Sequence, residues 1–260
     1  EKPNLQNIPQ ESKWAIPLRK TFEAEWGKSL LALDYSQLEL RLLAHTVNDK
    51  ELKKAFEEGQ DIHTLTASKI FKIPLEKIDK EKRRVGKTLN FGIIYGMGPR
   101  AFAQTGNIPL AEAKKIIDAY WQNFPNIKRW QEKTIAKARK DGFVENEHGR
   151  KRWFEHAGTS HPRYRAEIDR MAINMPIQSL GADIIKRAMI ESTELLEKKH
   201  WKGEKARLLL SIHDELIFEA DDDILGEAEQ ALRHCMENAY KLTVPIKVDI
   251  RRGKNWGELQ

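Results

Sequence analysis

The spacing of apolar positions changes period several times along the chain. Ser29-Leu30-Leu31-Ala32-Leu33 is a short continuous apolar run, the pattern of a strand buried on both faces. It ends at Asp34. From 36 to 48 the period turns helical, with Leu38, Leu42 and Leu43 on one face. Helical spacing then persists to residue 106. It predicts helices over 51–58 and 63–71, a break at Ile73-Pro74, and a longer helix that starts at Asp79 or a neighbour and runs through 83–96. Residues 109–124 and 127–140 give two more amphipathic helices, the second stopped by Asp141-Gly142. Residues 143–146 and 150–154 read as a hairpin turning at Glu147-His148-Gly149. A long helix is predicted over 166–198, with a break or kink at Asn174-Met175 because Pro176 lies inside it. Residues 206–212 and 216–220 are apolar strands separated only by His213-Asp214-Glu215, the spacing of a tight hairpin. A helix over 224–240 and a strand over 246–250 close the chain, while 1–27, with Pro3, Pro9 and Pro17, reads as irregular. Strands at both ends with helices inserted between them predict an α+β fold.

Composition narrows the picture modestly. The 260 residues suffice for one large or two modest domains, and a net charge of +6 suits a polyanionic partner without identifying one. The lone Cys235 excludes an internal disulfide and reads as a small core residue. No apolar run approaches the ~18 residues of a membrane helix, and no signal-peptide pattern opens the chain. Lys and Glu abundance hints at a thermophilic source. Asp221-Asp222-Asp223 reads as helix N-terminal charge favoured by the dipole.

Two features carry candidate chemistry. Asp34 closes one buried strand and Asp214 tops a hairpin. A carboxylate at the end of a buried strand is costly unless solvated, paired or bound to metal. If both strands join one sheet, two hard oxygen donors converge at its edge, as paired magnesium ions require. The second feature is the series Arg83, Lys87, Phe91, Tyr95, which recurs every four residues on one helix face. Two cations followed by two rings match the layout of a nucleoside triphosphate. Taken alone, such a face is an ordinary solvated one. Opposite a pair of aspartates it becomes half of a phosphoryl-transfer site.

On three ordered motifs the chain resembles the palm and fingers of a family A DNA polymerase, the bacterial DNA polymerase I family. They are Asp34-Tyr35-Ser36-Gln37-Leu38-Glu39-Leu40-Arg41, the helix from Arg83 to Gly96, and His213-Asp214-Glu215. Supporting matches are Pro3 through Pro9, Asp61-Ile62-His63-Thr64, Phe143 through Arg152, and Asn174-Met175-Pro176-Ile177-Gln178. The resemblance implies that Asp34 and Asp214, with the Tyr35 backbone carbonyl, hold two Mg²⁺ ions (Mn²⁺ a substitute), and that Glu215 is a third, less essential carboxylate. It implies that Arg83, Lys87 and His63 contact the triphosphate, with Lys87 able to protonate the leaving group. Phe91 packs on sugar and base, and Tyr95 sits where the template base enters. Glu39, held by Tyr95, blocks a ribose 2′-hydroxyl. Gln37, Arg150, Asn174 and Gln178 read the primer–template minor groove, Gln6 and Asn7 touch the duplex, and His213 lies near the primer end.

The implied fold is a right hand without its thumb: palm over 1–49 and 166–260, helical fingers over 50–165. The implied partners are primer–template DNA and dNTPs, with no membrane, in a monomer serving replication or repair inside a bacterial or phage-like host, an organelle being the alternative. The chain reads as the catalytic core of a longer protein, and without a thumb it is expected to hold DNA weakly. Ser179-Leu180-Gly181-Ala182-Asp183 departs from the family's usual small polar pattern at Leu180, which points to altered template packing. Reverse transcription on an RNA template, or a silent nucleic-acid-binding module, are the alternative functions. Gly86, Gly92 and Gly96 are expected to ease movement of the Arg83 helix.

Overall fold

In the computed structural model of the protein, residues 8, 13–159 and 161–259 are described. The chain opens with α1 (Ala15–Lys20), β1 (Lys28–Tyr35), α2 (Leu38–Val47), α3 (Lys50–Glu57), α4 (Ile62–Phe71) and α5 (Lys80–Ile94). It continues through α6 (Pro99–Gly106), α7 (Leu110–Asn123), α8 (Pro125–Asp141), β2 (Phe143–Glu145), β3 (Lys151–Trp153) and α9 (Pro162–Lys198). β4 (Ala206–Ile212), β5 (Glu215–Asp221), α10 (Leu225–Asn238) and β6 (Val248–Gly253) complete it. Two compact units emerge: residues 1–38, 182–241 and 246–260 form a sheet unit, and 39–181 with 242–245 form a helical unit. These boundaries fall inside segments that the sequence assigned to a palm. The reason is packing: Ile168, Ala172 and Met175 of α9 form one core with Ala138, Val144 and Phe154.

The sheet unit is built on a four-stranded antiparallel sheet, ordered β4-β5-β1-β6. β1 and β5 are interior strands and are buried almost end to end, which explains their unbroken apolar runs. On one face Leu30, Ala32 and Ile217 pack with Ile212, Trp256 and Leu259. On the other, Tyr35 donates its hydroxyl to the Met236 carbonyl of α10 at 2.9 Å, and Leu31 and Leu33 share that face by strand alternation.

Several expectations are corrected. The irregular opening contains α1, whose Pro17 falls in its first turn, where a missing N–H costs no helical bond. Gln6 and Asn7 lie outside the described residues. α9 runs unbroken through Pro176. The acidic run is not simple helix charge, because Asp222 accepts from Ser29 Oγ at 2.6 Å and from Lys254 Nζ at 2.7 Å. It ties the start of β1 to the end of β6. Cys235 is half-buried, taking the Ser192 hydroxyl at 3.6 Å.

In the helical unit α4 and α5 pack closely. A Cβ on Gly86 would collide with the His63 carbonyl oxygen, and one on Gly92 would lie 2.7 Å from Met97 Sδ. A side chain at either of these two glycines would crowd its neighbour. Gly96, with φ +70°, ends the helix in a left-handed turn. α5 begins at its Asp79 N-cap, whose side chain accepts from Lys82 N–H at 2.8 Å.

Candidate active site

In the sheet unit, Asp34 on β1 pairs with Glu215 on β5 and with Asp249 on β6. Residues directly opposite in adjacent strands share a face, so three carboxylates form one rung across the sheet. Asp214 sits beside it at the hairpin tip, its carbonyl accepting Tyr35 N–H at 3.2 Å. The hairpin is tighter than its sequence suggested. Glu215 already belongs to β5 and pairs with Ile212, leaving His213-Asp214 as the loop. His213 takes the positive φ (54°) that two-residue hairpin turns require. Gln37, also at positive φ (53°), turns the chain from β1 into α2.

Like charges directly opposite repel, and burial removes the water that would screen them. Burial raises Asp34 to about 6, with the Asp214 and Asp249 charges adding and Arg251 opposing. Burial also raises Glu215 to about 6; Asp34 and Asp214 add, while Arg251 and Arg19 oppose. Asp214 is raised by burial against the pull of a backbone hydrogen bond and His213. The cluster is therefore short of positive charge, and its donors are hard oxygens, which fits a divalent cation such as Mg²⁺. Among the described residues no group of three or more His, Cys, Asp or Glu side chains is arranged to hold a metal ion. What fits is a seat of few carboxylates that leaves positions for other oxygens. Asp249 and Arg251 were missed in the sequence. Their signal was the alternation Val248-Asp249-Ile250-Arg251, which puts both charges on one face of a strand.

In the helical unit the α5 face is as its periodicity predicts. Arg83 and Lys87 are exposed, Phe91 is half-buried and Tyr95 partly exposed, while Leu89, Ile93 and Ile94 are buried. Arg83 Nη2 pairs with Asp61 Oδ2 at 2.6 Å. Lys87 makes no hydrogen bond or ion pair among the described residues. Tyr95 donates its hydroxyl to Glu39 Oε2 at 2.5 Å, joining α5 to α2.

His63 is 3% exposed, with its ring 5.5 Å from that of Phe91. Burial lowers its pKa to about 4; Asp61 opposes this, and Arg83 and Lys87 add to it. The imidazole is thus neutral at pH 7. Thr66 Oγ1 donates to Asn90 Oδ1 at 3.0 Å, which orients the Asn90 amide so that Nδ2 meets His63 Nδ1 at 3.2 Å. Nδ1 accepts, so the ring proton sits on Nε2.

The DNA polymerase family A model matches residues 1–258. The chain belongs to DNA polymerase family A. It is 43% identical over 254 residues to DNA polymerase I, thermostable, of Thermus thermophilus, covering 98% of this chain and 30% of that protein. It is 42% identical over 258 residues to DNA polymerase I of Chloroflexus aurantiacus, covering 99% of this chain and 27% of that protein. The chain therefore spans about a third or less of the length of these relatives. Among solved structures, the POL domain of Pol1 from M. smegmatis, in complex with DNA primer-template and dNTP, matches with a TM-score of 0.92 at 36% identity, covering 99% of this chain and 45% of that chain.

The remaining residues implied by the family A resemblance lie on other elements of the helical unit. Arg150 closes the β2–β3 turn, its N–H held by Asn146 Oδ1 at 3.1 Å. Asn174 and Gln178 stand four residues apart on α9; Gln178 is exposed, and Asn174 Oδ1 is buried without a hydrogen-bond partner among the described residues. Leu180 is 2% exposed and lines a cavity with Pro176, Thr46 and Trp130. Its side chain is held within the packing of the helical unit. No helix among the described residues is long and apolar enough to cross a membrane.

Proposed function

We propose that this chain carries template-directed DNA synthesis, adding dNTPs to a primer 3′-hydroxyl and releasing pyrophosphate. The observation that carries the reading is the carboxylate rung with Asp214 beside it, under-compensated in charge at one end of a buried sheet. Family membership, and a neighbour solved with DNA primer-template and dNTP, support the same substrates here. Asp34 and Asp214, with the main chain of Tyr35, would hold two Mg²⁺ ions, Mn²⁺ being a substitute. When bound, such ions supply Lewis-acid activation of the hydroxyl and neutralise the leaving pyrophosphate. Glu215 adds negative charge to that seat.

The residues of the helical unit have their own tasks. Lys87, without a partner among the described residues, binds a phosphate oxygen and can give its proton to the leaving group. Arg83 exchanges the Asp61 carboxylate for a phosphate. His63 offers a neutral Nε2–H, a donor that adds no charge of its own. Phe91 packs on sugar and base, and Tyr95 stands at the template base. Tyr95 also fixes Glu39, whose carboxylate disfavours a ribose 2′-hydroxyl by bulk and by competing for the Tyr95 bond. Gln37, Arg150, Asn174 and Gln178 contact minor-groove acceptors, which are nearly common to all correct base pairs and so report pairing without reading sequence. Gln6 and Asn7 touch the duplex and His213 the primer end. Residues 1–49 and 166–260 are assigned to a palm and 50–165 to fingers, in a monomer acting inside the cell.

Primer extension with Mg²⁺ on matched DNA and RNA templates tests the reading. Extension on DNA, with loss on the order of 10³-fold or more in Asp34→Asn, is expected, since a metal's share of transition-state stabilisation is several kcal/mol. Full extension by Asp34→Asn overturns the assignment. Efficient extension on RNA would favour the reverse-transcribing reading.

A further inference from the structure

Arg251 lies two positions along β6 from Asp249, on the same face as the carboxylate rung, with its backbone paired to Ala32 of β1. From there it reaches diagonally. Its Nη2 lies 3.2 Å from Asp34 Oδ2 and 4.0 Å from Glu215 Oε1. Its Nη1 donates to the Leu259 carbonyl at 2.9 Å. One arm of the guanidinium is thus anchored on the backbone, and the other is aimed at the carboxylates. Its side chain is 40% exposed, so the aimed arm can withdraw into water without leaving a buried charge behind.

A metal ion and this guanidinium have the same claim on Asp34. A magnesium ligand oxygen lies ~2.1 Å from the ion, and a guanidinium 3.2 Å from that same oxygen would sit one or two atom diameters from a dication. Like charges that close, in a half-buried site, repel strongly. Resting on the reading of Asp34 as a metal ligand, we propose that Arg251 is a resident counter-cation: it holds Asp34 while no metal is bound and gives it up when a divalent cation enters. Metal binding is then an exchange of cations at a prearranged carboxylate. It is weaker than the acidic cluster alone would allow, and the carboxylates are kept from splaying apart in the meantime.

The test is Mn²⁺ binding to the free protein, followed by the electron paramagnetic resonance of unbound Mn²⁺, for the wild type, Arg251→Gln, Arg251→Lys and Asp34→Asn. Removing the competing charge should tighten Mn²⁺ binding about 10-fold in Arg251→Gln, the order expected of one charge at a half-exposed pair. Arg251→Lys keeps the charge but loses the fork that reaches Leu259 and Asp34 together, and should fall between the two. Thermal unfolding adds a reading that a merely structural arginine would not move. Arg251→Gln should melt below the wild type in chelator and recover that deficit in excess Mg²⁺. Unchanged or weaker Mn²⁺ binding in Arg251→Gln, or the same melting deficit with and without Mg²⁺, overturns the exchange. Unchanged Mn²⁺ binding in Asp34→Asn overturns the ligand assignment itself, and the exchange with it.

Discussion

The carboxylate end of the sheet and the cationic face of α5 reach opposite charges by opposite routes. The sheet cluster is assembled from residues far apart in sequence, brought into one rung by the pairings of β1 with β5 and β6. Its charges are half-buried and repel one another, so burial and mutual repulsion raise Asp34 and Glu215 to about 6. The α5 face is local, a four-residue repeat on a capped helix, and its cations stand in solvent. One region crowds like charges in partial burial. The other is at ease, with Arg83 resting on Asp61. On the function proposed above, the two ways of presenting charge suit two ligands: hard ions that must be drawn from water, and a flexible triphosphate that must be caught and released.

That contrast can be broken or sharpened by measurement. The largest effect in the helical unit is expected from Lys87→Ala. Losing a charge-assisted bond worth about 1.5–3 kcal/mol should lower kcat/KM for dNTP by about 10- to 100-fold, and single-nucleotide incorporation kinetics read it. An unchanged kcat/KM would return α5 to an ordinary solvated face. Gly86→Ala tests how closely that helix is seated on α4. The new methyl must displace the His63 carbonyl, so a net loss of about 1–2 kcal/mol in urea unfolding is expected, overpacking outweighing the gain in helix propensity.

The pH dependence of stability in chelator should separate the two regions by sign. Asp34 and Glu215 bind protons more readily folded than unfolded. Their unfavourable contribution is absent below pH ~4 and grows as pH rises through 6. His63 binds its proton less readily folded. Its favourable contribution is present above pH ~6.5 and is lost as pH falls towards 4. Asp34→Asn should therefore raise metal-free stability at pH 7 by about 1 kcal/mol, a value discounted for the partial exposure of its side chain, and by almost nothing at pH 4. An equal gain at both pH values would remove the repulsion argument. The smallest effect is assigned to Tyr95→Phe. It frees the Glu39 carboxylate and should relax discrimination against rNTPs by several-fold, about the worth of one hydrogen bond; competition between rNTP and dNTP in primer extension reads it.

Much of this was legible in the sequence for a physical reason. α5 was readable because a cap at Asp79, a 3.6-residue period and the residues that follow from it are local. Asp34 and Asp214 were readable because each interrupts or ends a buried apolar strand. Asp249, Arg251 and the burial of His63 depend on register and on α4–α5 packing, which a single strand or helix does not declare. Asp249 and Arg251 were hidden in plain alternation on a strand whose neighbours were unknown. Pro176 does not interrupt its helix as a break would. α9 stays helical on both sides of Pro176, with Ile173, Ile177 and Leu180 buried, because packing outweighs the lost hydrogen bond. The close approaches at Gly86 and Gly92 were not legible either, since the absence of a side chain allows both freedom and contact and only the neighbour reveals the contact.

The central claim is that the rung at the end of β1, with Asp214 beside it, is where nucleotide is joined to primer. Single-turnover incorporation of a matched dNTP by Asp214→Asn, measured beside duplex binding under the same conditions, tests it most directly. The account predicts duplex affinity within about 2-fold of wild type and incorporation slowed on the order of 10³-fold or more. Incorporation near the wild-type rate would contradict it.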